Sequence, residues 1–198
     1  MTTQTIVSPA EAVQTRQRRR FSVSEYYAMA EAGILTENDR VELLEGEIVV
    51  MAPIGNRHQS SVDGNGEMFT LRLQGRANVR VQGPVRLDDE NEPHPDVTLL
   101  RRRDDYYATG HPGPGDVLLL IEVADSTLSF DRNVKLPLYA RAGIPEVWIV
   151  NLRDRRLESY TDPTEDGYAT VRYFEAGSSV APLHFPDIVL EVERIIPA

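Results

Sequence analysis

Cysteine is absent from this 198-residue sequence. Without thiols the chain forms no disulfide bond, no thiolate zinc site and no cysteine nucleophile. Any metal ion must therefore be held by oxygen or imidazole ligands, and oxygen ligands favour magnesium or manganese over zinc.

Long apolar runs are also absent. No run approaches the roughly 18 apolar residues of a membrane-spanning helix, and the N-terminus lacks the apolar core of a signal peptide. We therefore expect a cytoplasmic protein with no membrane partner. The sequence has no phosphate-binding loop, no dinucleotide fingerprint and no Gly-x-Ser-x-Gly elbow around Ser126 or Thr127, which argues against nucleotide-binding folds and serine hydrolases.

Positive charge is scarce, since 21 Lys and Arg against 31 Asp and Glu give a net charge of -10. This balance is unfavourable for nucleic-acid binding, because affinity for phosphates comes largely from basic side chains that displace counterions. The arginines are nevertheless grouped, at Arg16 to Arg20, at Arg101 to Arg103 and at Arg153 to Arg156. Such groups are either solvated surface or local basic patches, and the charge pattern alone favours solvated surface.

The length and composition indicate one globular domain. Hydrophobic residues make up 41% of the chain and charged residues 26%, which is ordinary for a soluble protein with a proper core. Residues 1–20 are rich in Thr, Gln and Arg without apolar periodicity, and this predicts a flexible tail. We expect residues 21–198 to form the domain.

Short runs rich in Val, Ile and Leu recur between turn-forming residues and predict a strand-rich fold. The predicted strands outside the carboxylate-bearing runs are Val41–Leu44, Ile48–Met51, Val79–Gln82, Val85–Leu87, Val147–Val150, Leu157–Tyr160 and Val171–Phe174. A weaker helical pattern, interrupted by Gly64 and Gly66, extends from His58 to about Gln74.

Two carboxylates mark the most informative part of the chain. Asp96 stands beside the apolar run Val97–Leu100, and Glu122 lies inside the run Leu118–Val123. A carboxylate within or beside a buried strand must be paired, protonated or bound to a metal. Side by side, these two would form a divalent-cation site, and with Lys135 on the following predicted helix they suggest metal-dependent phosphodiester chemistry.

Each of these residues also has a purely structural explanation. Asp96 fits a strand entry or turn, and Glu122 fits a residue paired within the sheet. Lys135 lies four residues after Asp131 and is also compatible with a surface ion pair. Pro137 predicts that a helix begins or kinks near the lysine.

A longer ordered set of residues carries a family resemblance. The set comprises Leu44–Glu47, His58, Pro95-Asp96, Ile121–Thr127, Lys135 and Tyr139–Val150. It closely resembles the Uma-type family of restriction endonucleases, which belongs to the PD-(D/E)XK nuclease fold. The resemblance extends from about Phe21 to the C-terminus and is most distinctive from Glu122 to Val150.

The resemblance implies an α/β fold with a restriction-endonuclease-like core, a mixed β-sheet flanked by helices. Asp96 and Glu122 match the family's metal ligands for Mg²⁺ or Mn²⁺, and we expect the backbone carbonyl of Val123 to be a third ligand. The lysine usual two residues beyond the second acid is missing, because that position is Ala124. Lys135 matches the lysine that replaces it from the following helix.

Glu45 matches the family's upstream acidic residue and His58 its frequent histidine, so both are predicted site residues. Taken alone, acids flanking a glycine more often form a solvated turn, and a single histidine near a helix start more often caps or packs. Because the ordinary pKa of lysine is about 10.4, an electrostatic role for Lys135 is favoured over a role as base.

Two functional classes remain open. The first is a Mg- or Mn-dependent DNA endonuclease, homodimeric because two symmetric sites cut both strands most easily. The second is a catalytically inactive nuclease-fold module that binds nucleic acid or protein, which the acidic charge and the missing lysine at position 124 both permit. The presence of Asp96, Glu122 and Lys135 together favours the enzyme.

Limited proteolysis tests the predicted domain organisation. We expect residues 1–20 to be trimmed first, leaving one resistant fragment from about Phe21 onward, because exposed segments without apolar periodicity are cleaved before packed ones. Mass spectrometry of the fragments identifies the cuts. Early cleavage into two stable halves would contradict the single domain.

Overall fold

The computed structural model describes residues 18 to 36 and 38 to 196, so most of the predicted tail lies outside the described part. The strands are β1 (Val41–Leu44), β2 (Glu47–Val50), β3 (Ala77–Val81), β4 (Val97–Arg101), β5 (Val117–Ala124), β6 (Glu146–Asn151), β7 (Arg156–Thr164), β8 (Gly167–Phe174), β9 (Ser179–Val180) and β10 (Leu190–Glu191). The helices are α1 (Val23–Glu31), α2 (Asn56–Leu73), α3 (three joined pieces, Leu128–Phe130, Asp131–Lys135 and Leu136–Arg141) and α4 (Val192–Ile195).

A six-stranded mixed sheet with flanking helices forms the centre of the fold, as predicted. Its strand order is β3-β4-β5-β6-β7-β8, and all neighbours are antiparallel except the parallel pair β5 and β6. Helix α3 crosses between these two parallel strands, as a parallel connection requires. Their carboxyl ends therefore lie at the same edge of the sheet.

The prediction of a strand at Val85–Leu87 is wrong. Although Val85 and Leu87 are buried, the backbone there is irregular. Its N–H groups bond to other loops, from Val85 to the carbonyl of Pro93 and from Leu87 to that of Asn91. The apolar alternation therefore reflects burial of a loop.

The predicted helix from His58 is confirmed as α2, which continues through both glycines. A Cβ atom added at Gly66 would lie 2.7 Å from Cγ2 of Val81, so the missing side chain lets the helix approach the sheet. The side-chain amide of Asn65 also ties α2 to the end of the chain, donating 2.9 Å to the carbonyl of Ile195.

Each face of the sheet carries its own apolar core. One core packs α2 and α4 against the sheet around Phe69, Ile121 and Trp148. The other packs α3 and the β1–β2 hairpin against the opposite face, around Tyr139 and Ile149. The central strand β5 is buried along its whole length, so any polar group on it lies in the interior.

Helix α3 contains a π-helical turn at Asp131–Lys135, where the N–H of Leu136 bonds to the carbonyl of Asp131, five residues earlier. Pro137 has no N–H to offer the carbonyl of Asn133, and its ring clashes with that carbonyl in a regular helix. The wider turn accommodates the proline without ending the helix. Turns of this kind are frequent at functional sites.

Among the described residues, no helix combines the length and apolarity needed to cross a bilayer.

Candidate active site

The main candidate site is a cavity of about 420 Å³ beside the carboxyl end of β5. Val97 pairs with Ile121 across β4 and β5, which places Asp96 and Glu122 at the next position of the same antiparallel ladder. Both side chains line the cavity, together with His58 and Lys135. The structure thus brings together four of the side chains that the sequence singled out.

Asp96 is held by two donors on one of its oxygens. Its Oδ2 accepts a hydrogen bond of 2.8 Å from the backbone N–H of Val123 and lies 3.1 Å from Nε2 of His58. The hydrogen bond to Asp96 raises the pKa of His58 above its ordinary value, against the opposing effect of burial. Nδ1 of His58 is buried and has no hydrogen-bond partner within the described ranges.

Glu122 is also held through a single oxygen. Its Oε1 lies 3.2 Å from Nζ of Lys135 and accepts a hydrogen bond of 2.5 Å from the hydroxyl of Tyr139. Burial, reinforced by the charges of Asp131 and Asp96, raises the pKa of Glu122 above its ordinary value. Lys135 and Tyr139 oppose this shift, because both stabilise the ionised carboxylate.

Lys135 is a buried ammonium held between two carboxylates. Its Nζ lies 3.2 Å from Glu122 and also 3.2 Å from Oε2 of Glu42. Burial alone would lower the pKa of Lys135, but these two carboxylates raise it well above the ordinary value. The side chain is therefore a fixed positive charge and is unsuited to accept a proton.

Two acidic residues of the cavity were not predicted as site residues. Glu42 is buried on β1, where its Oε2 also accepts a hydrogen bond from the backbone N–H of His94. Asp131 is buried on the π-helical turn and accepts a hydrogen bond of 2.7 Å from Thr127, while burial raises its pKa to about 6. For Glu42 a signal existed, because it stands in an apolar strand as Glu122 does.

Glu45 is not brought to this cavity. It occupies the β1–β2 turn with a positive φ of 50° and pairs at 2.8 Å with Arg141 on the protein surface. Gly46 follows with a φ of 71°, and a Cβ there would lie 2.6 Å from Cβ of Arg20. The predicted upstream acid, Glu45, is therefore a turn residue. The acid of β1 that lines the cavity is Glu42.

The donor set of the cavity fits a hard divalent cation. Glu42, Asp96, Glu122 and Asp131 each use one carboxylate oxygen in hydrogen bonds or ion pairs, and within the described ranges the other oxygen has no such partner. Asp125 also lines the cavity, so five acids face Lys135 and Arg40 there, and a cation would relieve the repulsion among the acids.

No three His, Asp or Glu side chains of residues 18–36 and 38–196 are close enough together to enclose a metal. This arrangement suits Mg²⁺, which is commonly bound through one or two carboxylates and keeps several waters or substrate oxygens as ligands. Asp96 and Glu122 occupy neighbouring positions of one strand ladder and both line the cavity.

Comparison with known proteins identifies relatives of the whole fold. The chain matches the model of the Uma2 family, described as "Putative restriction endonuclease", over residues 23–193. It also resembles the crystal structure of a protein from Anabaena variabilis ATCC 29413 described as "a putative nuclease belonging to DUF820". That match has a TM-score of 0.64 and 15% identity, and it covers 83% of this chain and 94% of the other. No curated protein matches the chain.

Replacing Tyr139 by Phe tests the hydrogen bond to Glu122. We expect Tyr139→Phe to lower the free energy of unfolding by about 1.5 to 3 kcal/mol, because its acceptor is a buried carboxylate. Tyr168→Phe is the matched control, since the hydroxyl of Tyr168 donates 2.8 Å to the neutral carbonyl of Ile144. In this control the free energy of unfolding should fall by about 0.5 to 1.5 kcal/mol. Equal losses in urea denaturation would contradict a charged acceptor at Glu122.

Proposed function

The chain belongs to the Uma2 family, and on this premise we propose that it is a Mg²⁺- or Mn²⁺-dependent endonuclease that hydrolyses phosphodiester bonds of DNA. Family membership and the fold support a nuclease function. The metal, the DNA substrate and the roles of individual residues are the proposal.

One observation carries this proposal. Asp96 and Glu122 extend the same strand ladder into one cavity, and each fixes one carboxylate oxygen and leaves the other without a hydrogen bond among the described residues. Neither spare oxygen is among the fully buried side-chain atoms that lack a partner, so both are accessible within the cavity. Two oriented carboxylates with an oxygen to spare support a cation site.

Asp96 and Glu122 would hold the cation, and the carbonyl of Val123 is a proposed third ligand. When bound, a divalent cation lowers the pKa of a water ligand and polarises the phosphoryl oxygens. The backbone N–H of Val123 and the ring of His58 orient Asp96. Tyr139 orients Glu122 in the same way.

Lys135 contributes a preorganised positive charge. Since Glu42 and Glu122 keep it protonated, it would stabilise the negative charge that develops on the phosphoryl oxygens and would not act as the base. Charges that the fold fixes in advance need no reorganisation during the reaction. The expected homodimer and the cytoplasmic location stay predictions.

Metal dependence is the first test. We expect the wild type to cleave DNA only when Mg²⁺ or Mn²⁺ is added, and calorimetry to detect binding of the same ions. Asp96→Asn and Glu122→Gln should both weaken that binding and abolish cleavage, because a neutral amide is a poor ligand for a hard cation. Glu47→Gln, which changes an exposed acid of the β1–β2 hairpin, is the charge-matched control and should retain both properties.

If Asp96→Asn and Glu122→Gln leave metal binding unchanged, the cation site is elsewhere. A wild type without activity on all DNA and RNA substrates with both metals would instead favour the inactive interaction module.

The role of Lys135 is tested by single-turnover kinetics at saturating enzyme, which separate chemistry from binding. Lys135→Ala should lower the rate of chemistry by roughly a hundred- to a thousandfold while affecting DNA binding much less, because the ammonium acts mainly on the transition state. Lys135→Arg should recover little, since a planar guanidinium replaces a compact ammonium poorly. Circular dichroism checks that each variant is folded. Wild-type single-turnover rates for Lys135→Ala would remove this residue from the mechanism.

A further inference from the structure

The three arginine groups of the sequence differ in their surroundings. In the first group, Arg18, Arg19 and Arg20 each form an ion pair with a carboxylate. In the second, Arg102 and Arg103 pair with Asp104 and Asp105, far from the cavity at the opposite end of β4. Most of this positive charge is neutralised within the protein.

The third group lies beside the candidate active site. It belongs to the turn between β6 and β7, and this turn follows the strand that runs parallel to β5. The backbone N–H of Leu152 bonds to the carbonyl of Ala124, two residues beyond Glu122. Arg57 reaches the same turn from the start of α2 and donates 3.1 Å to the carbonyl of Leu152. Arg57 also pairs with Asp125, which lines the cavity, so the turn lies next to the cavity lining without being part of it.

Arg153 and Arg155 are exposed on this turn. Neither forms an ion pair with a carboxylate of the described residues, in contrast to most arginines of the other two groups. Arg155 has a positive φ of 52°, which is typical of a tight turn. Two cations are thus presented to solvent next to the site.

Two further guanidinium groups are fixed in place by one buried acid. Glu158 is fully buried on β7, and Arg132 donates through Nε at 2.9 Å and also through Nη2 to its carboxylate. Arg156 donates to the same carboxylate at 3.2 Å. Both arginine side chains remain about one third exposed, at 32% and 31%. A single acid therefore orients two cations whose side chains stay partly exposed to solvent.

These side chains form what we call the arginine rim, made up of Arg57, Arg132, Arg153, Arg155 and Arg156. Their carboxylate partners are three, Asp125, Asp154 and Glu158, so the rim carries excess positive charge in a chain whose net charge is -10. Strand β7 lies two strands from β5, which corresponds to about 10 Å across the sheet.

We propose that the arginine rim binds the DNA backbone phosphates next to the phosphodiester held at Asp96 and Glu122. This inference rests on the proposed function and names the surface that receives the substrate. Guanidinium groups suit the task, because their planar N–H pairs match phosphate oxygens and always carry charge. Contacts of this kind position the DNA without reading its sequence.

The salt dependence of DNA binding tests the rim. Fluorescence anisotropy with a labelled duplex and no added divalent metal measures affinity over a range of salt concentrations, independently of cleavage. For the full chain carrying Arg153→Gln and Arg155→Gln, we expect weaker binding and a slope of log K against log salt that is smaller by about 1.8, since each phosphate contact contributes about 0.9. The loss should be the same for unrelated sequences. This pair leaves the Arg132, Arg156 and Glu158 network intact.

The matched control is the double variant Arg72→Gln and Arg101→Gln. Each double variant removes two positive charges, so the change in net charge is identical. Arg72 and Arg101 are also exposed and form no ion pair within the described ranges. Arg72 lies near the other end of α2, about 22 Å along the helix from Arg57. The control should bind DNA with the wild-type salt slope.

Equal losses in both double variants, wild-type behaviour of the rim variant, or absence of DNA binding by the wild type would overturn the inference. DNA cleavage by the wild type together with an unaffected rim variant would reject the rim and leave the nuclease function standing. DNA binding that depends on the rim, without DNA cleavage under any condition, would support the rim and reject the nuclease function.

Discussion

The buried ammonium of Lys135 is the interaction on which the rest of the site depends. It lies between Glu122 of the central sheet and Glu42 of the β1–β2 hairpin, and so it joins two parts of the fold that also pack through apolar side chains. Removing an ion from water is costly unless its partners are well placed. Two carboxylates at equal distance meet that condition. The ammonium in turn holds one oxygen of Glu122 and leaves the other without this contact.

The position of this lysine follows from an irregularity in the helix. In a regular helix, the proline at position 137 would collide with the preceding turn, and the π-helical turn avoids that collision. The two ends of this turn, Asp131 and Lys135, both line the cavity. Arg132 lies between them in sequence and donates to Glu158 on β7. One local distortion therefore supplies side chains to two neighbouring surfaces.

Much of the fold could be predicted from local patterns. The apolar runs identified β4 and β5 and their carboxylates, and Ser22 with Glu25 form a capping box at the start of α1, a local arrangement. The rest depends on contacts between distant residues. The turn position of Glu45 and the burial of Glu42 are set by packing against other loops, and the partnership of Arg132 with Glu158 joins residues 26 apart in sequence. The pattern of charges along the sequence does not show which residues pair in space. It therefore could not distinguish arginines neutralised by a carboxylate from arginines beside the site.

The parallel pairing of β5 with β6 has a consequence for how such a protein can diversify. Glu122, a proposed metal ligand, lies on β5, and the turn after β6 is a short exposed connection held to β5 by the bond between Leu152 and Ala124. Insertions and substitutions in exposed turns are tolerated far better than changes in a buried strand. The proposed metal ligand Glu122 and the proposed phosphate contacts of this turn thus occupy separate, adjoining pieces of chain, and substitutions in the turn leave the buried strand undisturbed.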